Sequence, residues 1–288
     1  MTTEALDGCA ERSERRHPRA HGRGGAGARR GGGRPAVRRP LLRAVPVAMT
    51  LPGVLLFAAC TSGTEGGDAA SAQKAAPEAA AAGWQVLFDG TDLSRWRGYR
   101  QDTVPAAWRI EDGGVLALVP RPGHEGEATL ITRERYGDFE LELDWRISEG
   151  GNSGIFYRAT EDYARIYESG PEMQIVDNAG HPDGKAPITS AGSNFALYAP
   201  TSDVTHPAGE WNHVRIVARG PHVEHWLNGT KIVEYEQWSD DWKARVADSK
   251  FAAMPGYGKS PTGYIGLQDH GNPVWFRDIR IRRLDAGH

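Results

Sequence analysis

The chain has 288 residues and a formal net charge of −3, and both its aromatic residues and its charge are unevenly distributed. All nine tryptophans lie at or after Trp84, and residues 1–43 carry a charge of +7, which leaves −10 on the rest of the chain. An acidic, aromatic-rich region of about 200 residues can form one domain with a sizeable core, and its charge argues against nucleic acid as a partner. The two cysteines, Cys9 and Cys60, precede that region, so it contains no disulfide, no thiolate nucleophile and no thiolate metal site.

The first 60 residues have the features of an export signal. An apolar stretch over residues 41–59 follows several arginines, and small residues stand just before Cys60. The segment from Leu56 to Cys60 is similar to a bacterial lipobox, which predicts lipidation of Cys60 and an exported, membrane-anchored lipoprotein of the cell envelope. A cleaved signal peptide and a transmembrane anchor are the alternatives, but two prolines and a short apolar run argue against an anchor.

Residues 61–83 are small and polar, which predicts a flexible tether ahead of a domain over residues 84–285. In the domain, short runs of alternating apolar and polar residues are separated by Gly, Pro, Asn and Asp turns, a pattern typical of β-strands. The predicted strands are a hairpin over residues 108–118 and then 139–147, 154–158, 172–176, 211–218, 223–227, 231–235, 263–268 and 274–281. A short helical turn is predicted near residues 239–245. Many short strands without a long helix indicate an all-β sandwich or barrel.

Six short motifs follow one another along this domain. They are LFDGTDLSRW at 87–96, GNSGIFYR at 151–158, EMQIVD at 172–177, GEWNH at 209–213, HWLNG at 225–229, and GLQDHG at 266–271 followed by VWFR at 274–277. Together they resemble the 3-keto-disaccharide hydrolase family. The resemblance implies a concanavalin A-like jelly roll, a sandwich of two antiparallel sheets, with a carbohydrate as its substrate. The implied activity is cleavage of 3-keto disaccharides or related 3-keto glycosides.

The chemistry of such a substrate limits which residues can act on it. A ketone at carbon 3 acidifies the hydrogen on carbon 2, so a base can start an elimination that expels the group on carbon 1, after which water adds back. This route needs a base, a cation or amide for the enolate oxygen, and an acid for the leaving group. We expect Glu172 to be the base, because it shares a strand face with Gln174, and we expect Arg158 and His270 to be the cation and the acid. Direct hydrolysis is the alternative route.

Five further residues are predicted to contact the substrate. Asn152 lies in a turn, Gln174 lies beside Glu172, Asp177 and Lys185 lie on a Gly/Pro-rich loop, and Trp242 could stack on a sugar ring. We expect no metal and no other cofactor. A calcium ion bound by oxygen ligands of the loop over residues 177–185 is a less favoured alternative.

Each candidate also has a structural interpretation. Arg158 could form a structural ion pair, His270 could stabilise a turn, Glu172 could be a solvated surface charge, and Trp242 could belong to the core. The alternating acids Glu140, Glu142 and Asp144 superficially resemble the carboxylates of retaining glycosidases, but we interpret them as a solvated sheet face. For the whole domain, the alternatives to a 3-keto glycoside enzyme are a non-catalytic carbohydrate-binding module and an endoglycanase acting on unmodified polysaccharide.

Overall fold

The computed structural model describes residues 83–284. The predicted export signal, Cys60 and the predicted tether up to residue 82 lie outside the described residues. Across residues 83–284, no helix has the length and apolar character needed to span a membrane.

Thirteen strands in the described residues form two antiparallel sheets. They are β1 (Gln85–Phe88), β2 (Trp96–Gly98), β3 (Trp108–Glu111), β4 (Val115–Leu118), β5 (Leu130–Thr132), β6 (Phe139–Ile147), β7 (Asn152–Ala159), β8 (Glu172–Val176), β9 (Asn212–Arg219), β10 (His222–Leu227), β11 (Thr230–Glu236), β12 (Tyr264–Leu267) and β13 (Val274–Arg283). The larger sheet has the order β11-β10-β9-β6-β13-β4-β3, with β1 also paired to β13, and the smaller sheet has the order β2-β5-β12-β7-β8. This architecture confirms the predicted all-β, concanavalin A-like jelly-roll sandwich.

The helical elements of the described residues are short. The α-helix α1 (Asp240–Ala247) begins after Ser239, whose hydroxyl accepts a hydrogen bond from the Trp242 N–H at 3.1 Å, and it confirms the predicted helical turn. Four 3-10 segments lie at Ile166–Glu168, Pro182–Lys185, Pro187–Thr189 and Lys250–Ala253.

Strand β6 shows how the alternating pattern produces the sandwich. Its apolar residues, from Leu141 to Ile147 in steps of two, are at most 1% exposed and pack into the core between the sheets. Its acidic residues face outward but are ion-paired across to β13. The pairs are Glu140 with Arg282 (2.7 Å), Glu142 with Arg280 (2.9 Å) and Asp144 with Arg277 (3.0 Å). The predicted solvated face is therefore corrected to a ladder of partly buried ion pairs, because β13 places an arginine opposite each acid.

A buried polar group connects the two sheets through the core. The Tyr157 hydroxyl on β7 lies 2.9 Å from Nε2 of His225 on β10 and 2.6 Å from the Tyr235 hydroxyl on β11. Burial lowers the pKa of His225 to about 4, so the imidazole is neutral at physiological pH. The link therefore satisfies polar groups in the core without placing a charge there.

The smaller sheet is buried on both of its faces. On β8, Met173 and Ile175 pack into the main core, whereas Glu172 and Gln174 point to the opposite, outer face. A second small apolar cluster lies on that outer face and includes Phe156 of β7. Loops and 3-10 segments cover the outer face, so polar side chains that alternation directs there enter a hollow rather than bulk solvent.

A column of stacked aromatic rings joins the larger sheet to the segment that follows α1. Tyr235 of β11 stacks on Tyr198 (4.7 Å between ring centres) and on Trp242 of α1 (5.2 Å). Trp242 stacks on Tyr257 at 6.0 Å, and Tyr257 stacks on Phe251 at 3.8 Å. Since these rings are nearly parallel and mostly buried, they fix the 3-10 segment Lys250–Ala253 relative to the sandwich.

Candidate active site

A hollow on the outer face of the smaller sheet collects polar residues from distant parts of the chain. It consists of two adjoining cavities of about 120 and 250 Å³. The smaller cavity is lined by Asn152, Tyr167, Glu172, Gln174, Asp183, Phe195, Lys250, Gln268 and His270. The larger cavity shares Tyr167, Gln268 and His270 with it and extends toward β2 and β5.

Glu172 lies on the floor of the smaller cavity. Its strand neighbour on β7 is Phe156, and its carboxylate reaches back across Gly154. A Cβ atom at residue 154 would overlap Oε1 of Glu172, so only glycine leaves room for the carboxylate in this position. The glycine of the 151–158 motif and the glutamate of the 172–177 motif are therefore parts of one arrangement.

The carboxylate of Glu172 is buried without a partner. The residue is 6% exposed, and within residues 83–284 its carboxylate has neither a hydrogen bond nor an ion pair. Burial raises the pKa of Glu172 to about 8, with the charge of Lys250 opposing the increase and the charge of Asp183 adding to it. A carboxyl group with a strongly raised pKa in a cavity is typical of acid–base catalysis.

Side-chain amides surround this carboxylate with unused hydrogen-bonding capacity. Both side-chain polar atoms of Gln174, Oε1 of Gln268 and Oδ1 of Asn152 are buried with no partner among the described residues. Asn152 is oriented by one bond, in which its Nδ2 donates to Oδ2 of Asp183 at 3.0 Å. Since buried polar groups are nearly always hydrogen-bonded, these atoms point to a polar ligand such as a hydroxylated sugar.

Two cationic or titratable side chains complete the smaller cavity. The ammonium group of Lys250 lies 4.1 Å from the centre of the Phe195 ring, and desolvation lowers its pKa against the opposing charges of Glu172 and Asp183. His270 lies in the loop after β12 and is exposed, and partial desolvation lowers the pKa of its imidazole. His270 therefore stands at the rim, on the boundary between the two cavities.

The structure does not bring Arg158 to this site, so its predicted catalytic role is corrected. Arg158 is 1% exposed and its guanidinium donates to Gln237 Oε1 and to the Gly220 carbonyl, both at 2.8 Å. Strict alternation would place it on the outer face, but Tyr157 and Arg158 together oppose Ile265 in a β-bulge, where Arg158 has a φ of 52°. The bulge redirects the side chain, and the buried hydrogen bonds give it a structural role.

Three predicted substrate contacts also lie outside the cavity lining. Asp177 accepts hydrogen bonds from the backbone N–H groups of Gly150 (2.8 Å) and Ala179 (3.0 Å), so its carboxylate holds a loop together. Lys185 bends back to the carbonyl oxygens of Asn178 and Ala179. Their loop positions suggested ligand binding, but local backbone partners satisfy both side chains.

Trp242 is the third of these contacts. It belongs to α1 rather than to a loop, and it is 3% exposed within the aromatic column. Its predicted role in stacking on a sugar is therefore corrected to packing.

Sequence reasoning missed several residues of the hollow. Gln268 could have been found, because it follows Leu267 in the alternation of β12 and belongs to the 266–271 motif. Tyr167 and Lys250 lie on 3-10 segments with no periodic pattern, so the sequence carries no comparable signal for them.

Comparisons with known proteins agree with this architecture. A family model described as a 3-keto-alpha-glucoside-1,2-lyase-like domain matches residues 83–282. A relative from Bacteroides thetaiotaomicron named 3-keto-disaccharide hydrolase is 36% identical over 231 residues, which is 70% of this chain and 79% of that protein. A crystal structure of a candidate glycosyl hydrolase from Parabacteroides distasonis is 35% identical, with a TM-score of 0.66, and the match covers 72% of this chain and 97% of that one. Another such structure from the same organism is 29% identical, with a TM-score of 0.54, and covers 70% and 99%.

Proposed function

This chain belongs to the family of 3-keto-alpha-glucoside-1,2-lyase-like domains, and on that basis we propose that it cleaves 3-keto disaccharides or related 3-keto glycosides. The names of its relatives support a hydrolase acting on glycosides. The observation that carries the finer proposal is the carboxylate of Glu172, buried without a partner beside unpaired amides and an ammonium group.

The first step is removal of a proton from carbon 2. Ionised Glu172 takes the proton, and the electron pair of the C–H bond moves onto the ketone oxygen at carbon 3 to form an enolate. The ammonium of Lys250 and the amide of Gln174 are the donors that stabilise this oxygen. Lys250 thus takes the role that the sequence assigned to Arg158.

The second step expels the leaving group, and water then completes a net hydrolysis. The enolate electrons form a double bond between carbons 1 and 2, the bond from carbon 1 to the glycosidic oxygen breaks, and His270 gives that oxygen a proton. Water then adds its hydroxyl to carbon 1 while the neutral His270 takes the remaining proton of the water, and the protonated Glu172 returns a proton to carbon 2. No redox cofactor is needed because the substrate is already oxidised.

The electrostatics of the site support these roles and predict a pH profile. The reacting form has Glu172 ionised and His270 protonated. Because the pKa of Glu172 is raised to about 8 and that of His270 is lowered, this form is a minor species that is most abundant between the two pKa values. We expect a bell-shaped dependence of kcat/KM on pH with an alkaline limb near pH 8.

The test of the function compares oxidised and unoxidised substrates. Maltose oxidised at carbon 3 of its non-reducing ring should be cleaved, and maltose itself should not. Sugar binding without turnover of the oxidised substrate would favour a carbohydrate-binding module, and cleavage of both sugars would indicate an ordinary glycosidase.

A substrate with a better leaving group distinguishes the role of Glu172 as the base from the role of His270 as the acid. A 3-keto 4-nitrophenyl glucoside expels a good leaving group that needs no acid. It should restore turnover by His270→Ala but not by Glu172→Gln, whereas the exposed control Glu210→Gln should behave like the wild type. Rescue of Glu172→Gln alone would reverse the assigned roles.

We also propose that the protein is exported and held on the extracytoplasmic side of a membrane by a lipid on Cys60. The apolar segment over residues 41–59 and the lipobox-like sequence support this proposal. Cys60→Ala should move the protein from the membrane fraction to the soluble fraction. An unchanged distribution, together with an unmodified Cys60 by mass spectrometry, would contradict it.

A further inference from the structure

We propose that the larger of the two cavities binds the leaving sugar of a disaccharide substrate. This inference rests on the function proposed above, which places the oxidised ring beside Glu172. The larger cavity, of about 250 Å³, adjoins the smaller one of about 120 Å³ and shares Tyr167, Gln268 and His270 with it. A ligand occupying both cavities therefore crosses from one to the other at His270.

The position of His270 agrees with such a two-ring ligand. The bond to be cleaved joins the two rings, so it must lie where the cavities meet. The side chain that protonates the glycosidic oxygen must lie there too, and His270 lines both cavities whereas Glu172 lines only the smaller one. The arrangement thus places the base beneath the oxidised ring and the acid beside the bond to the leaving group.

The wall of the larger cavity is built by Asp269. Its carboxylate accepts hydrogen bonds from the backbone N–H groups of Gly126 (3.0 Å), Ala128 (3.1 Å) and Gly271 (2.9 Å). These bonds tie the loop over residues 124–128 to the loop that carries His270. The carboxylate of Asp269 therefore stabilises the wall of the larger cavity. The other side chains of the lining, rather than Asp269, would contact a ligand.

The remaining lining combines charged and aromatic groups. Arg165 and Glu125 both line the cavity, and the carboxylate of Glu125 accepts a hydrogen bond from the Gly123 backbone N–H at 2.9 Å. Tyr167 is 38% exposed at the junction, and Oε1 of Gln268 is buried without a partner. A charged guanidinium and an unpaired amide oxygen beside an accessible aromatic ring suit a hydroxylated sugar ring better than an apolar aglycone.

The test compares two substrates that differ only in the leaving group. One is maltose oxidised at carbon 3 of its non-reducing ring, and the other is methyl 3-keto-α-glucoside, which leaves the larger cavity empty. In Arg165→Ala and Tyr167→Ala, we expect the ratio of kcat/KM for the disaccharide to that for the methyl glycoside to fall about tenfold. The exposed control Arg219→Ala should leave the ratio unchanged.

The outcomes separate this inference from the proposed function. If the wild type cleaves both substrates and the ratio is unchanged in both cavity variants, the inference is wrong and the function stands. If the wild type cleaves neither substrate, the proposed function fails. Sugar binding in the larger cavity is then measured by saturation-transfer NMR with maltose, an experiment that requires no turnover. Contacts to the reducing ring that disappear in Arg165→Ala support the inference, and contacts that persist unchanged overturn it.

Discussion

Replacing Glu172 by glutamine should abolish activity and at the same time make the protein more stable at alkaline pH than the wild type. The buried carboxyl group has its pKa raised from 4.5 to about 8 by desolvation, so the folded state favours the neutral form. A group of this kind contributes stability that is fully present below pH 4.5 and is lost as the pH rises toward 8. Glutamine has nearly the same shape and cannot ionise, so it removes this loss.

The size of the effect follows from the linkage between protonation and folding. Each pH unit between the two pKa values corresponds to about 1.4 kcal/mol, which sets an upper limit of roughly 5 kcal/mol for the whole range. Between pH 5 and pH 8 the wild type should lose about 3 to 4 kcal/mol more than Glu172→Gln. Titrating groups that do not interact with Glu172 affect both proteins alike, so they cancel in the difference.

Urea unfolding at several pH values measures this difference directly. The exposed Glu210→Gln provides a control of the same chemistry, and its unfolding free energy should follow that of the wild type at each pH. If the stability difference between the wild type and Glu172→Gln is the same at pH 5 and pH 8, within about 0.5 kcal/mol, the pKa of Glu172 is not raised. The electrostatic part of the proposed mechanism would then be refuted.

Three further predictions concern neighbouring residues. Lys250→Met should move the alkaline limb of the kcat/KM profile to higher pH, because the ammonium lowers the pKa of Glu172; a shift to lower pH would argue against their coupling. Gly154→Ala should reduce kcat/KM at least about tenfold in a folded protein, because its Cβ displaces the carboxylate, and circular dichroism checks the fold. Arg158→Met should lower the unfolding free energy by about 2 to 4 kcal/mol, measured in urea, because Gln237 and two carbonyls lose a buried donor. Full stability in that variant would contradict its structural role.

Alternation in the sequence was sufficient to place part of the site. The pattern around Glu172 and Gln174 predicted a shared face, and the structure puts both side chains in the hollow together with Asn152. His270, which the sequence analysis predicts to be the acid, lines both cavities. Period-two patterns determine which face a side chain takes, so they are informative wherever a strand is regular.

Other parts could not be read from the sequence because they depend on irregular backbone or on distant packing. The bulge at Arg158 reverses the direction that alternation predicts, and no turn residue marks it. Lys250 lies on a short 3-10 segment, and the next residue, Phe251, stacks on Tyr257, a contact that no local pattern predicts. Three short strands, β1, β2 and β5, were not predicted, since each has at most four residues and pairs with a strand that is not its neighbour in the chain.

The aromatic column described above has a consequence for folding. It begins at Tyr235 on the larger sheet and ends at Phe251, next to the lysine that faces Glu172 on the smaller sheet. An intermediate in which only the smaller sheet had formed would possess the acid–base residues but lack the cation. Activity should therefore appear only after the two sheets have packed together. The rate at which turnover recovers during refolding would then report the rate of this last folding step.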